Sequence, residues 1–347
     1  MKKYFLILVT FILFFTCENV KADVLCKSAT SLHTEICSQT DTNYFCSADG
    51  YTNGATITYG SLVSSDNLTT GDAFDCDVNG DGKYDAATER FYYVTDMDAN
   101  TAVLVYYNNV SGGEASNSTA YAYDSSGSDN NGPTTAIEQL PKTTQWKNVN
   151  LTTDTRAITN QNGGTTVSSG NLPTAFKYTG YAARLLTYQE VNKGCYDETT
   201  AVTVTKGLNN KCKFLMENTK YSSASIKTLG TWLETPYDSY TTFAMNVFSD
   251  YRRIGNDFVS VSSKYGVRPA IEVSKNRMEI SKVSNDNQTT ENNNTTNSTN
   301  TTEIVKVEDT GINKLKVGIS IGLAILVMGI MVIVQSTMKV KEIEENQ

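Results

Sequence analysis

Val317 to Val334 is a run without a charged residue, long enough to cross a bilayer as a helix. It bounds what the rest of the chain can fold into. Lys314 and Lys316 precede it and Lys339 and Lys341 follow, so local charge does not orient it. Upstream, Asn285 to Thr302 is built almost entirely of Asn, Thr, Ser, Gln, Asp and Glu. With no side chain to bury, such a segment cannot offset its folding entropy and reads as a spacer. At the other end, Met1-Lys2-Lys3, the apolar stretch Tyr4 to Phe15 and Val20-Lys21-Ala22 before Asp23 have the layout of a secretory signal peptide. An uncleaved N-terminal anchor and lipid attachment at Cys17 are the alternatives.

The expected organisation follows. Residues 1–22 are a signal peptide, 23–135 a β-rich extracellular unit, 136–280 a second unit, 281–313 a stalk, 314–338 a transmembrane helix and 339–347 a cytoplasmic tail. The protein would lie in the cell membrane as a single-pass species, with its bulk outside.

Composition narrows the function classes. A formal net charge of −8 argues against a nucleic-acid partner, which calls for a basic footprint. The chain has 1 His, His33, which excludes His-rich zinc sites and leaves little room for a Ser-His-Asp triad. Lying in a polar stretch between Cys26 and Cys37, His33 reads as a surface residue. Tyr outnumbers Phe, 20 to 12, which suits half-exposed sheet faces and contact surfaces. Loss of Cys17 with the leader leaves Cys26, Cys37, Cys46, Cys76, Cys195 and Cys212, an even set that suggests disulfides in an exported chain. Local closure favours Cys195 with Cys212 and the other four among themselves; reduced, buried thiols are the alternative.

Ala55 to Tyr59 alternates as a strand does, bracketed by Gly54 and Gly60. Phe91 to Val94 and Ala102 to Tyr107 are β-branched and aromatic and flank an Asp/Asn-rich turn, so they read as a hairpin. Ser111 to Pro133 and Asn160 to Gly170 read as surface loops, Tyr188 to Val191 and Phe214 to Glu217 as short helices. Phe243 to Phe248 and Phe258 to Val261 read as strands, and Trp146 is expected to pack on a sheet. The fold class is α+β with β dominant.

Between the first unit's strands lies Asp77-Val78-Asn79-Gly80-Asp81-Gly82-Lys83-Tyr84-Asp85. Asp77, Asn79, Asp81 and Asp85 are spaced as side-chain oxygen ligands of an EF-hand calcium loop, Lys83 stands where the backbone carbonyl is used, and Gly82 where the chain bends. The bidentate Glu expected at position twelve is Thr88 here; Glu89 comes one residue later, and Asp75 or Glu89 could complete the shell. Calcium is therefore a candidate cofactor, with Asp77, Asn79, Asp81, Lys83, Asp85 and Glu89 as its site. A solvated acidic turn is the alternative, since Asn-Gly and Asp-Gly favour turns.

In the second unit three blocks stand tens of residues apart: Arg184-Leu185-Leu186-Thr187 with Glu190, Gly230 to Tyr237, and Tyr265 to Val273. They matter together only if the fold assembles them. In the second block, Glu234 beside Trp232 reads as a rim or turn residue. In the third, Arg268 is expected to bridge to an acidic or carbonyl partner inside the domain. The blocks Ala183 to Thr187, Trp232 to Pro236 and Gly266 to Ala270 resemble a bacterial domain of unknown function found in exported surface proteins of Firmicutes and gut relatives. That domain is distantly similar to formylglycine-generating enzymes and their C-type-lectin-like fold. The active cysteine pair of those enzymes has no counterpart here, because Cys195 and Cys212 lie outside the blocks. The resemblance therefore implies a fold and a surface location, and no reaction. Val307 to Gly311 resembles a sortase signal at Thr310-Gly311 alone, leaving wall attachment as an alternative to a plain anchor. The resulting expectation is a membrane-anchored, non-catalytic binding or adhesion module for a glycan, host or envelope surface. The alternative is a cell-envelope enzyme, for which no carboxylate pair is placed by the sequence.

Overall fold

The computed structural model describes residues 23–38, 46, 51–168, 170–172, 176–196, 206–208, 210–220, 227–249 and 252–282. The expected signal peptide, transmembrane helix and tail lie outside these residues, as does the stalk from residue 283 onward. Among the described residues no helix is long and apolar enough to cross a membrane.

The first sheet grows from the expected hairpin. Arg90–Asp96 and Thr101–Tyr106 pair antiparallel with Phe91 opposite Tyr106. Their turn is held by Asp98, whose carboxylate accepts the Asn100 N–H at 2.7 Å. Both strands are almost wholly buried, so the sheet is covered on two faces and its strands read as continuous apolar runs. Trp146 covers one side, edge-on to Phe91 and Tyr106 with ring centroids 5.6 and 5.4 Å away.

This sheet has six strands, in the order Ala270–Ser274, Thr101–Tyr106, Arg90–Asp96, Ala73–Cys76, Cys26–Ser28, Met278–Glu279. Strands from both sides of residue 135 thus share one ladder, and the described residues belong to one compact unit. The expected boundary between 23–135 and 136–280 does not divide two bodies. Cys26–Ser28 pairs in parallel with Met278–Glu279, which ties the start of the fold to its end.

The second sheet has five strands, in the order Lys206–Gly207, Arg253–Phe258, Phe243–Phe248, Gly230–Pro236, Tyr265–Gly266. Gly230–Pro236 is buried at every position. The strand Arg253–Phe258 ends at Phe258, and Val259-Ser260 form a turn, so the strand expected over Phe258 to Val261 lies mostly earlier. From Tyr265–Gly266 the chain crosses through Val267-Arg268-Pro269 into Ala270–Ser274 of the first sheet. The Gly-Val-Arg-Pro block is the joint between the sheets. Gly266 is required there by close approach, because a Cβ would meet the Asn109 side chain at 2.3 Å. Asn109 cannot yield easily, as its amide donates to Thr228 and to the Gly230 carbonyl.

Among the described residues one longer helix, Tyr188–Cys195, begins at a capping box in which Thr187 and Glu190 satisfy each other's backbone N–H groups. The segment Asn210–Met216 is 3-10 rather than α-helical. Three disulfides join Cys26 to Cys76, Cys37 to Cys46, and Cys195 to Cys212. The molecule is a β-dominated α+β protein.

Candidate functional site

The acidic loop connects two adjacent strands of the first sheet, leaving Ala73–Cys76 at Asp77 and entering Arg90–Asp96 after Glu89. Asp77 organises it. One carboxylate oxygen accepts the N–H groups of Gly80 and Asp81, each at 2.9 Å, and the other accepts that of Gly82 at 3.0 Å. Asn79 accepts the Asp81 N–H at 2.8 Å, and Asp81 that of Lys83 at 2.9 Å. Asn148 holds the entry from outside, donating to the Asp77 carbonyl at 2.9 Å.

Three of the six expected residues converge. Asp77, Asp81 and Glu89 each present an oxygen, and these oxygens lie within 4.8 Å of one another. Asp85 does not join them: it accepts the Ala87 N–H and the Thr88 hydroxyl, each at 2.9 Å. Those bonds, the Ala87 one foremost, hold its carboxyl below the usual range. Lys83 extends into solvent with its ammonium 3.6 Å from Asp81. The same turn carries the glutamate that comes one residue late: the Glu89 N–H donates to the Asp85 carbonyl at 2.7 Å, and a Glu89 carboxylate oxygen accepts the Asp85 N–H at 3.2 Å. Asp75, the other residue that could complete the shell, is engaged by Arg90 at 2.7 Å.

Glu89 is 4% exposed, and its Oε1 has no hydrogen-bond partner among the described residues. Burial pushes its carboxyl up to about 7, and the negative charges of Asp77 and Asp81 push the same way. Beside the loop opens a concavity of about 430 Å³, lined by Asp23, Asp77, Tyr84, Lys147 and Asn148 among others.

The three blocks of the second half meet elsewhere, in a buried ionic network. Arg184 donates to Glu272 at 2.7 Å and to both oxygens of Glu190 at 2.9 and 2.6 Å. Arg156 bridges Glu234, at 3.0 Å, and Glu272, at 3.2 Å. The Tyr178 hydroxyl donates to Glu234 at 2.9 Å. Glu234, 3% exposed, is therefore an interior residue and not the rim residue its sequence setting suggested. Two guanidinium groups face three carboxylates. Burial opposes charge on Glu190 and Glu272, but Arg184 holds both below the usual carboxylate range; burial dominates at Glu234 and raises it. Every carboxylate in this network is engaged, so it serves as a structural centre.

Sequence reasoning missed two groupings. His33 is not a simple surface residue: one ring nitrogen lies 2.6 Å from Glu217 and the other 2.6 Å from the Ala86 carbonyl. Tyr240 and Phe258 are exposed, at 60% and 51%, and belong to a row of aromatic rings at the end of the second sheet. Centroid distances along it are 6.2 Å from Tyr237 to Tyr240, 5.5 Å to Phe243 and 4.3 Å on to Phe258. The high Tyr content was a signal for such a surface, without its place. Next to the row, Asp238 accepts the side-chain amides of Gln161 and Asn162 at 2.6 and 2.5 Å.

Comparison of the chain with protein-family models, with curated proteins and with solved structures finds no match in any of the three.

Proposed function

We propose that this protein is a non-catalytic, surface-displayed binding module whose ligand is a neutral saccharide. The row Tyr237, Tyr240, Phe243 and Phe258 carries this reading. Two of its rings, Tyr240 and Phe258, are exposed on either side of the partly buried Phe243, and exposed rings offer flat π faces to the C–H faces of a sugar. The polar groups at hand are a carboxylate and amides, namely Asp238, Gln161 and Asn162, which suit hydroxyl hydrogen bonding. Export and single-pass anchoring rest on residues 1–22 and 314–338. The three disulfides support them, because such bonds persist in oxidising compartments. The likeness to C-type-lectin-like and formylglycine-generating folds is proposed on the same blocks as before, and the meeting of Arg184, Glu234 and Glu272 supports treating those blocks as one unit.

The test is an array of neutral glycans and anionic wall polymers probed with the full-length protein in mild detergent. Neutral glycans should bind, and Tyr240→Ala and Phe258→Ala should each abolish binding without lowering the melting temperature. Binding confined to anionic polymers, or binding indifferent to both substitutions, would reject the reading.

A further inference from the structure

We propose that Asp77, Asp81 and Glu89 form a calcium site that clamps the adjoining ends of the Ala73–Cys76 and Arg90–Asp96 strands. Two independent observations carry it. The first is convergence: three carboxylate oxygens from separate parts of the loop lie within 4.8 Å of one another. The second is Glu89, at 4% exposure and with Oε1 lacking any partner among the described residues. A buried carboxylate oxygen left without a donor is costly and calls for an explanation. Its neighbour Asp75 shows what the sheet does with a carboxylate it can pair, since Arg90 holds that one at 2.7 Å. Glu89 has one oxygen accepting the Asp85 N–H at 3.2 Å, the other without a donor among the described residues, and two anionic neighbours, an arrangement that a hard cation satisfies.

The choice of calcium follows from the donor set. All donors are oxygens, the loop is irregular, and one ligand comes from outside the regular spacing. Calcium accepts six to eight oxygens in flexible geometry, whereas magnesium demands a near-ideal octahedron and keeps its waters. The ligand set differs from the spacing pattern of the sequence: Asp85 is spent capping the turn at Ala87 and Thr88, and that turn delivers Glu89 in its place. The site is independent of the aromatic row, so failure of one proposal leaves the other standing.

Calcium chloride is titrated into chelator-stripped, full-length protein in mild detergent, followed by calorimetry and by melting temperature. Binding is expected in roughly the 10⁻⁴–10⁻³ M range of extracellular modules, with a rise in melting temperature that magnesium does not reproduce. Asp81→Asn, at an exposed position, should retain the fold and weaken binding roughly tenfold or more, and Glu89→Gln should do the same. Asp85→Asn should stay within about twofold, because its side chain is not a ligand. Neither heat nor a melting shift at about 10 mM calcium would overturn the proposal. Equal affinity in Asp81→Asn, Glu89→Gln and the unsubstituted protein would also overturn it.

Discussion

The Arg184 guanidinium donates to Glu272 at 2.7 Å across 88 residues of sequence, and neither side chain is exposed to solvent. The pair joins the Arg-Leu-Leu-Thr block to the strand Ala270–Ser274, and backbone bonds between Arg184 and Ala270 run beside it at 3.0 and 2.7 Å. Burial works against the charge on Arg184, yet Glu190, Glu272 and Glu234 outweigh it and raise the guanidinium's pKa. Removing one partner of a buried ion pair leaves an uncompensated charge and costs about 3–5 kcal/mol. Arg184→Met should lose that much stability in urea unfolding, whereas replacing Arg184 and Glu272 together should cost less than the sum of the singles. A loss below about 1 kcal/mol in the single variant would mean that the network contributes nothing of the kind.

His33 should make stability fall as pH rises above the ring's ordinary pKa of 6.5. Both ring nitrogens face acceptors, Glu217 and the Ala86 carbonyl, and a neutral imidazole has only one N–H to give. Burial opposes the charged ring and Arg90 pushes the same way, but Glu217 and the Ala86 carbonyl prevail and the pKa is raised above 6.5. Tyr92 completes the setting by donating to Glu217 at 2.7 Å, and the Tyr107 ring lies edge-on at 5.1 Å. The sign follows from linkage. A raised folded pKa gives stabilisation that is full below the unfolded value and disappears as pH climbs through the folded one. Unfolding curves from about pH 5.5 to 9 should show this decline in the unsubstituted protein and not in His33→Gln. Parallel curves would refute it.

Asp129 should impose a second, lower pH window. It is 0% exposed and neither carboxylate oxygen has a partner among the described residues. Burial pushes its carboxyl up to about 7. Between about pH 4 and 7 the unfolded chain has released this proton while the folded chain still holds it, so stability falls as pH rises through that window and levels above it. The full effect is of order a few kcal/mol. Asp129→Asn should flatten that part of the profile; an unchanged slope would show that the side chain finds a partner in solution.

Arg268 should be needed for folding and not for ligand contact. At 1% exposure it donates to the carbonyls of Phe214, Leu215 and Glu217 at 3.0, 3.2 and 2.6 Å, finishing the last turn of the 3-10 segment. Burial pulls its pKa down to about 10, which leaves it charged at neutral pH. Arg268→Ala removes a charged donor from each of three carbonyls and should cost roughly 3 kcal/mol or more. An unchanged melting temperature together with lost saccharide binding would reverse the assignment.

What was legible in the sequence was local. The Phe91-to-Tyr107 hairpin announced itself by β-branched and aromatic runs around an Asp/Asn turn, and the strand Thr56–Tyr59 shows the alternating burial that its residues demanded. Cys195 and Cys212 paired as their proximity implied, and Arg268 met carbonyl partners as the apolar neighbours and proline around it suggested. The capping box is likewise written in Thr187 and Glu190, three residues apart.

Tertiary structure decided what joins across distance. Side-chain periodicity carries no information about which strand lies beside which, so nothing local revealed that Ala270–Ser274 would pair with Thr101–Tyr106 and dissolve a boundary near residue 135. Nor could spacing show that Glu89, and not Asp75, would stand beside Asp77 and Asp81: Arg90 claims the Asp75 carboxylate, and the Glu89 N–H closes a turn onto the Asp85 carbonyl. His33 took its place from Glu217, 184 residues away, and Glu234 left the rim for the interior because Arg156 and Tyr178 came to meet it. Burial and pairing are properties of the assembled chain, and they set the charge states on which these sites depend.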